Sequence, residues 1–327
     1  MRHGATGAAI LALWIAPAVM AAQGGESAQN YPNHPVRLIA GSPGSTSDIS
    51  ARFIAHKVSE RWGQQIVVDN RAGAGGIIGA EIAARAAPDG YTLMVGHIGT
   101  HASPQFLFAK LAYDPARDFT PISMMTDSGI ALVVHAALPA ANLKEFVVYS
   151  KARPGTVNYG SAGIGTSSQL SGELFNQMTG ARLVHIPYKG AGFALNAVVA
   201  NETQAAFLST TTANVQMKAG RLRALAVLSE KRFPAAPDIP SAPEVGFPGL
   251  DSSVWFGLFA PAKTPKAIIT RINREVVDSL NLPEAKAALL AQGAVAMPST
   301  PEEFGAFVKR EADKWGKVIK TAGIKAQ

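Results

Sequence analysis

Short β-rich runs alternate with helical patterns along most of this chain, and this alternation constrains its fold more than any other feature. The predicted strands, with the turn that opens the third, span residues 36–40, 65–69, 88–96, 131–135, 157–161, 183–188, 203–209, 222–229 and 253–261. Between the first two runs, Ala51, Ile54 and Val58 fall on one face of a helix. Strands that alternate with helices are typical of α/β proteins with mainly parallel sheets, and we predict that class here.

Three of the predicted helices begin with recognisable capping residues. Asparagine and threonine are favoured at a helix N-cap, and proline is favoured at the first helical position. The signals are Asn142 with Glu145 before a helix over 143–151, Thr264-Pro265, and Thr300-Pro301 with an acidic first turn.

The first 22 residues differ in kind from the rest of the chain. One arginine precedes an apolar run over residues 8–20, and small residues follow it, which is typical of a cleaved export signal. We predict a signal peptide over residues 1–22, with cleavage after Ala21 or Ala22, and a periplasmic mature protein. An uncleaved N-terminal anchor is the alternative. The chain has no cysteine, which excludes a lipid anchor on cysteine, disulfides and thiolate metal sites.

The charge of the chain argues against a nucleic-acid partner. The formal net charge is +7 over 327 residues, and the sequence contains no run of lysine and arginine and no basic stripe interleaved with aromatic residues. Diffuse positive charge favours encounters with small anions but does not identify one.

Two glycine-rich loops share one design. "GSPGSTSD" (41–48) and "GSAGIGTS" (160–167) each follow a predicted strand and lead into a predicted helix. The capping-box pairs are Ser45 with Asp48 and Thr166 with Gln169. A helix N-terminus carries unpaired amides and partial positive charge, so it attracts anions. Either loop alone is explained by an ordinary capped turn, but two of them in separate halves predict a cleft that holds an anion from both sides.

The patterns that would indicate an enzyme are incomplete. A dinucleotide fingerprint begins at Gly73 and Gly75 but has Ile78 where its third glycine belongs. The chain lacks a Gly-x-Ser-x-Gly nucleophile elbow. His97 and His101 have the spacing of a metal pair if helical, but no carboxylate is near them in the sequence. We therefore predict no catalytic residues, no metal and no cofactor.

Seven segments, taken together and in order, resemble the Bug family of extracytoplasmic solute receptors, the substrate-binding proteins of tripartite tricarboxylate transporters. They are "YPNHPVRLIAGSPGSTSDISAR", "VVDNRAGAGGIIGAEIAARAAPDGYTL", "YDPARDFTPI", "NYGSAGIGTSSQLSGELF", "VHIPYKGAG", "GRLRALAVLSEKRFPAAPDIPSAPEVG" and "WFGLFAPAKTP". The similarity covers almost the whole chain after Tyr31.

The resemblance implies a two-domain periplasmic-binding-protein fold, of the Venus flytrap, type II-like kind, with the ligand between the domains. Domain 1 would comprise residues 31–127 and 229–327, and domain 2 residues 128–228. The chain would cross between the domains near residues 128 and 228.

The resemblance also implies which residues contact the ligand. The first loop supplies Ser42, Gly44, Ser45, Ser47 and Asp48, the loop after the third strand supplies Thr100 and His101, and the second-domain loop supplies Ser161, Ala162, Gly163, Gly165 and Thr166. The chain departs from the family pattern where it has Ser42 and Ser45 in place of a proline and a glycine, and Gln169 in place of a histidine. For Asp48 two roles stay open at this stage, a structural cap or a carboxylate that faces the ligand.

The partners follow from the same resemblance. We expect a monomer that binds a small organic acid, whether a carboxylate, a dicarboxylate or an aromatic acid, and passes it to integral membrane transporter subunits. A periplasmic sensor that signals to a sensor kinase is the alternative, followed by a hydrolase or isomerase on the same scaffold.

Overall fold

The computed structural model of the chain describes Met1 and residues 30–325. The predicted signal peptide therefore lies, apart from Met1, outside the described residues. No helix within residues 30–325 combines the length and the apolar character that crossing a membrane requires.

Strands and helices alternate along the described chain. The strands are β1 (Val36–Ala40), β2 (Ile66–Asn70), β3 (Thr92–His97), β4 (Phe119–His135), β5 (Asn158–Ser161), β6 (Val184–Pro187), β7 (Ala205–Ser209), β8 (Leu222–Val227), β9 (Ser253–Pro261) and β10 (Val295–Ala296). The α-helices are α1 (Thr46–Trp62), α2 (Ile77–Ala84), α3 (Pro104–Leu107), α4 (Leu143–Lys151), α5 (Ser167–Thr179), α6 (Ala191–Val199), α7 (Thr210–Lys218), α8 (Lys266–Asn281), α9 (Pro283–Ala291) and α10 (Pro301–Ala322). The predicted α/β class is confirmed.

One long strand, β4, joins two sheets. The first sheet has the order β2-β1-β3-β9-β4, with β10 also on β4, and the second has the order β4-β7-β5-β6, with β8 also on β4. Gly129 still pairs with Ser253 of β9, whereas Ile130 already pairs with Ser209 of β7. The chain thus passes from the first domain to the second within β4, close to the predicted crossing at residue 128.

Strand direction brings the loops of both domains together. In the first sheet β1, β3 and β4 run parallel, because β9 lies between β3 and β4 and is antiparallel to both. In the second sheet β5, β6 and β7 are mutually parallel, and β7 runs against β4. The carboxyl ends of the parallel strands in both sheets therefore point toward the crossing in β4. Ligands of open α/β sheets bind outside such carboxyl ends, so the two domains enclose a cleft there.

The chain returns to the first domain later than residue 228. Ala242 and Leu250 are buried in the same core as Phe146, Phe175 and Phe207 of the second domain. Ser252 still donates its amide to Leu228, and pairing with the first sheet begins with β9. The predicted domain limits stay a prediction, but this packing favours a boundary near residue 252.

The N-caps observed in the structure can be compared with those predicted at Asn142, Thr264 and Thr300. Asn142 accepts a hydrogen bond from the amide of Glu145, and Thr300 is the N-cap of α10, both as predicted. Glu303 completes a capping box with Thr300. The prediction for Thr264 was wrong. Its hydroxyl donates instead to the carbonyl of Pro261, and α8 begins at Lys266 with Pro265 as its N-cap.

Candidate functional site

The loop after β1 is held rigid by its own side chains. Ser45 caps α1 by accepting the amide of Asp48 at 3.2 Å, and the Asp48 carboxylate accepts the amide of Gly44 at 2.9 Å. The Ser47 hydroxyl accepts the amide of Gly41 at 3.3 Å. Ser42 and Gly44 are exposed at the tip of the loop, whereas Ser47 and Asp48 are buried beneath it.

Both oxygens of Asp48 are occupied within the protein. Besides Gly44, the carboxylate accepts a hydrogen bond from Asn70 at 2.8 Å and contacts the Arg52 guanidinium at 3.0 Å. Burial tends to raise the pKa of this carboxyl, but the hydrogen bonds from Asn70, Gly44 and Arg52 outweigh burial and hold the pKa below its usual value. Asp48 is therefore ionised and engaged, which favours the structural role over contact with a ligand.

The loop after β5 repeats this geometry in the second domain. Gln169 accepts the amide of Gly165 at 2.7 Å, and Ser168 accepts the amide of Ala162 at 2.9 Å. The predicted cap by Thr166 was wrong in one respect: Thr166 is the N-cap residue of α5, but its hydroxyl donates to the carbonyl of Gly163 instead of accepting an amide.

The two loops share two hydrogen bonds at equivalent positions. The equivalent residues are Gly41 and Ala162, Gly44 and Gly165, Ser47 and Ser168, and Asp48 and Gln169. Ser45 and Thr166 also occupy the same position, but only Ser45 accepts a helix amide. Gly44 and Gly165 have φ angles of +73° and +76°, where a side chain would strain the backbone. Each loop thus places the N-terminus of its helix next to the carboxyl end of the preceding strand.

This arrangement leaves backbone donors unpaired at both helix starts. Within the described chain, the amides of Thr46 and Ser47 on α1, and of Ser167, Ser168 and Gln169 on α5, donate no hydrogen bond to protein groups. The dipole of each helix places partial positive charge at the same amides. The cleft therefore offers an anion two sets of donors, one from each domain.

Ser161 and His185 form a contact that the sequence did not reveal. The Ser161 hydroxyl lies 2.5 Å from His185 Nε2 and accepts the amide of Gly163 at 3.1 Å. A serine beside a histidine is the first element of a nucleophile pair. Here Ser161 is fully buried, and no carboxylate among the described residues forms a hydrogen bond with His185. Burial lowers the pKa of His185 to about 4. The contact fixes the end of β5 and does not present a nucleophile.

Thr100 and His101 lie inside the first domain. Both side chains are buried, and they bond each other at 2.9 Å. His101 stacks on Phe259 at 3.7 Å between ring centroids, and burial lowers its pKa well below the usual value. These two side chains therefore support the loop after β3 from below. Their contact with a ligand, like that of the other predicted site residues, stays a prediction.

The loop after β3 also touches the second domain. Ser103 donates its hydroxyl to the carbonyls of Ile98 and Gly165, both at 3.1 Å. A Cβ on Gly165 would lie 2.4 Å from a methyl carbon of Leu107. The two domains thus meet at the loop after β5, so a movement of one domain relative to the other would change the contacts of the loop that leads into α5.

A third helix start at the cleft was missed by the sequence analysis. α7 follows β7 directly, and Ser209 caps it by accepting the amide of Thr212 at 3.1 Å. Thr211 bonds Ser128 of β4 at 3.0 Å, and Thr210 donates to Gly293 of the first domain at 2.7 Å. The run of hydroxyl residues between a strand and a helix was the available signal, although it lacks the glycines that marked the other two loops.

Asp127 is an unusual carboxyl at the crossing between the domains. It lies on β4 opposite Trp255, and its Oδ1 is buried without a hydrogen-bond partner in the described chain. Burial raises the pKa of Asp127 to about 7. A hydrogen bond from Ser253 opposes this rise, and the carboxylates of Asp251 and Glu311 add to it. Asp127 therefore holds a proton in the folded protein at pH values where it would release it when unfolded.

We expect the Asp127→Asn variant to remove part of the pH dependence of stability. Because the folded pKa is raised, the wild-type free energy of unfolding falls as pH rises between about 4 and about 7. The slope is about 1.4 kcal/mol per pH unit. The variant should match the wild type in Tm at pH 4 and exceed it by several degrees at pH 8. Thermal denaturation at both pH values measures this, and an equal difference in Tm at pH 4 and pH 8 would contradict it.

The fold and the cleft define the class of this protein: a two-domain periplasmic-binding-protein fold with unpaired amides at a helix start in each domain. The sequence profile described as "Tripartite tricarboxylate transporter family receptor" matches residues 50–324. The chain belongs to this receptor family, as the resemblance predicted, and the family consists of solute receptors and not of enzymes.

Relatives and solved structures agree with this assignment. Protein BugT of Bordetella pertussis is 34% identical over 97% of each chain. The structure of R. palustris Rpa4515 with adipate matches 90% of this chain and 99% of its own, at 34% identity and a TM-score of 0.84. MatC of Rhodopseudomonas palustris with bound malate matches 88% of this chain and all of its own, at 33% identity and a TM-score of 0.80.

Proposed function

We propose that this protein captures a small dicarboxylate in the cleft between its domains. The observation that carries the proposal is the equivalence of the loops after β1 and β5, each of which leaves backbone amides of a helix start unpaired. One anionic group on each helix start would pair these donors with charge-assisted hydrogen bonds. A ligand with a carboxylate at each end meets that requirement within a single small molecule.

The residues that hold the two loops favour an acidic ligand over a cationic one. On α5 the residue that holds the loop is Gln169, which is neutral, and on α1 it is Asp48, whose charge is already balanced by Arg52. Neither helix start therefore presents a free negative charge to the ligand. Adipate and malate, the acids named with the two solved relatives, are suitable first probes for the same chemistry here.

We further propose that the mature protein acts in the periplasm and passes its ligand to membrane subunits of a tripartite tricarboxylate-type transporter. The export signal predicted over residues 1–22 and the receptor family support this location and this partner. Closure of the two domains over the ligand would form a surface that exists only in the loaded receptor, which gives the transporter a means of distinguishing loaded from empty protein.

The proposal predicts that dicarboxylates stabilise the protein. Protein that has been unfolded and refolded to remove bound ligand is heated with adipate, malate and adipamide, the last being the uncharged diamide analogue of adipate. A ligand at about a hundred times its Kd adds about 2.7 kcal/mol, so Tm should rise by several degrees. An acid should raise Tm, and adipamide should not. An equal shift with adipamide, or none with a wider set of dicarboxylates, would contradict the proposal.

A further inference from the structure

His97 occupies the edge of the cleft beside the first loop. It is the last residue of β3 and pairs with Phe256 of β9. In the parallel pairing of β1 with β3, Ile39 lies opposite Met94. Three residues further along the chain in each case, Ser42, in the loop after β1, and His97, at the end of β3, reach the same level. The imidazole is half-buried, so it is not part of the sealed interior that holds His101.

The hydrogen bonds around His97 determine which ring nitrogen carries a proton. The amide of Gly99 donates to Nδ1 at 3.1 Å, so Nδ1 is the acceptor. Burial lowers the pKa of His97 to about 4, which leaves the ring neutral at pH 7. A neutral imidazole with an acceptor at Nδ1 carries its proton on Nε2.

The Nε2–H group of His97 is a donor without an acceptor in the described chain. No described residue accepts a hydrogen bond from it, and Nε2 is not among the unpartnered side-chain atoms that are sealed from solvent. It differs in this respect from Nε2 of His101, which is sealed and unpartnered. His97 is therefore a fixed, neutral donor whose hydrogen bond is left for solvent or a ligand.

The surrounding backbone keeps this edge of the ring open. A Cβ on Gly76, which has a φ of +95°, would lie 3.1 Å from His97 Nε2 and 2.9 Å from a methyl carbon of Thr100. Residues 73–76 all have positive φ, including Ala74 at +45°. The next segment, Ile98–Ala102, forms a π-helical turn, a rare conformation that is found frequently at functional sites. Glycine at position 76 therefore keeps a side chain away from Nε2.

We propose that His97 Nε2–H donates a hydrogen bond to an oxygen of the bound acid and thereby helps to select which acids this receptor takes. The assignment rests on the proposed function. A carboxylate, hydroxyl or carbonyl oxygen satisfies the donor. A ligand with an ammonium group at that position would leave the N–H unpaired, which is unfavourable in a closed cleft. His97 therefore favours acids with oxygen at the first-domain end over amino acids.

The test compares His97→Asn with His97→Gln by isothermal titration calorimetry with adipate and malate. Asparagine keeps an acceptor near the position of Nδ1 but has no donor as far out as Nε2. Glutamine reaches further and ends in an N–H donor. We expect His97→Asn to weaken binding about tenfold to a hundredfold without lowering the Tm of the ligand-free protein, and His97→Gln to recover part of the loss. His56→Asn, on the exposed face of α1, is the matched control and should bind as the wild type does.

The outcomes separate this assignment from the function on which it rests. If the wild type binds adipate or malate and His97→Asn binds it equally well, the role of His97 is overturned and the proposed function stands. If His97→Gln binds as weakly as His97→Asn, the imidazole acts through loop packing, which also overturns the donor role. If the wild type binds neither these acids nor any other dicarboxylate, the proposed function fails and the assignment fails with it.

Discussion

Replacing Ser167 with proline is expected to weaken dicarboxylate binding about tenfold to a hundredfold while the protein stays folded. Ser167 is the first residue of α5, where proline is well tolerated because the amide has no helical partner. Thr166 before it has φ −76° and ψ 157°, a conformation that suits a residue preceding proline. The substitution therefore removes one unpaired N–H at the start of α5, together with the Ser167 hydroxyl.

The comparison that isolates this amide is Ser167→Ala, which loses the hydroxyl but keeps the N–H. Calorimetric titration of both variants with adipate should give a weaker affinity for the proline variant than for the alanine variant, with similar Tm values in the absence of ligand. Thr46→Pro makes the same change on α1, because Ser45 has φ −72° and ψ 160°. Equal affinities for the alanine and proline variants at position 167 would show that the α5 amide does not contact the ligand.

Replacing Glu311 with alanine is expected to destabilise the protein by about 2–6 kcal/mol. One oxygen of Glu311 accepts the indole N–H groups of both Trp255, at 3.0 Å, and Trp315, at 2.8 Å. Both indoles are fully buried. The variant leaves two buried donors unpaired, and each costs about 1–3 kcal/mol. A loss of this size is a large part of the total stability of a typical protein.

Denaturant unfolding of the wild type, Glu311→Ala, Glu311→Gln and Asp313→Ala measures this loss. Asp313 lies on the same helix, but it is exposed and pairs only with Lys309, so its removal should cost less than about 1 kcal/mol. Glutamine keeps one acceptor for the indoles and should be intermediate. Equal, small losses for Glu311→Ala and Asp313→Ala would mean that the indole hydrogen bonds contribute little to stability.

Local patterns were sufficient to predict most of the elements. β1 and β9 begin and end where the runs of β-branched and aromatic residues predicted them, and α4 begins after the predicted cap. The first half of β4 was missed because residues 119–130 include a proline, an aspartate and a glycine, which are depleted in strands. That segment is a strand because residues 119–129 pair with β9.

The candidate site was predictable only in part. The glycine-rich loops at 41–48 and 160–167 were recognisable because they combine glycine with hydroxyl residues before a helix. Whether Thr100 and His101 lie at the surface or beneath it depends on Phe259, a residue more than 150 positions away, and no local pattern carries that information. His97 and Thr211 were missed for the same reason, since each gains its place from strands that pair across the molecule.

The sequence by itself determined the α/β class, the two anion-attracting helix starts and the family, because each of these depends on residues that are close together in the chain. Only the tertiary structure decided that Asp48 is engaged by Gly44, Asn70 and Arg52, that Ser161 is buried against His185, and that Nε2 of His97 has no acceptor in the described chain. The physical reason is that burial and hydrogen-bond partnership are set by neighbours in space. Here those neighbours come from other strands: Asn70 of β2 contacts Asp48, His185 of β6 contacts Ser161, and Phe256 of β9 pairs with His97.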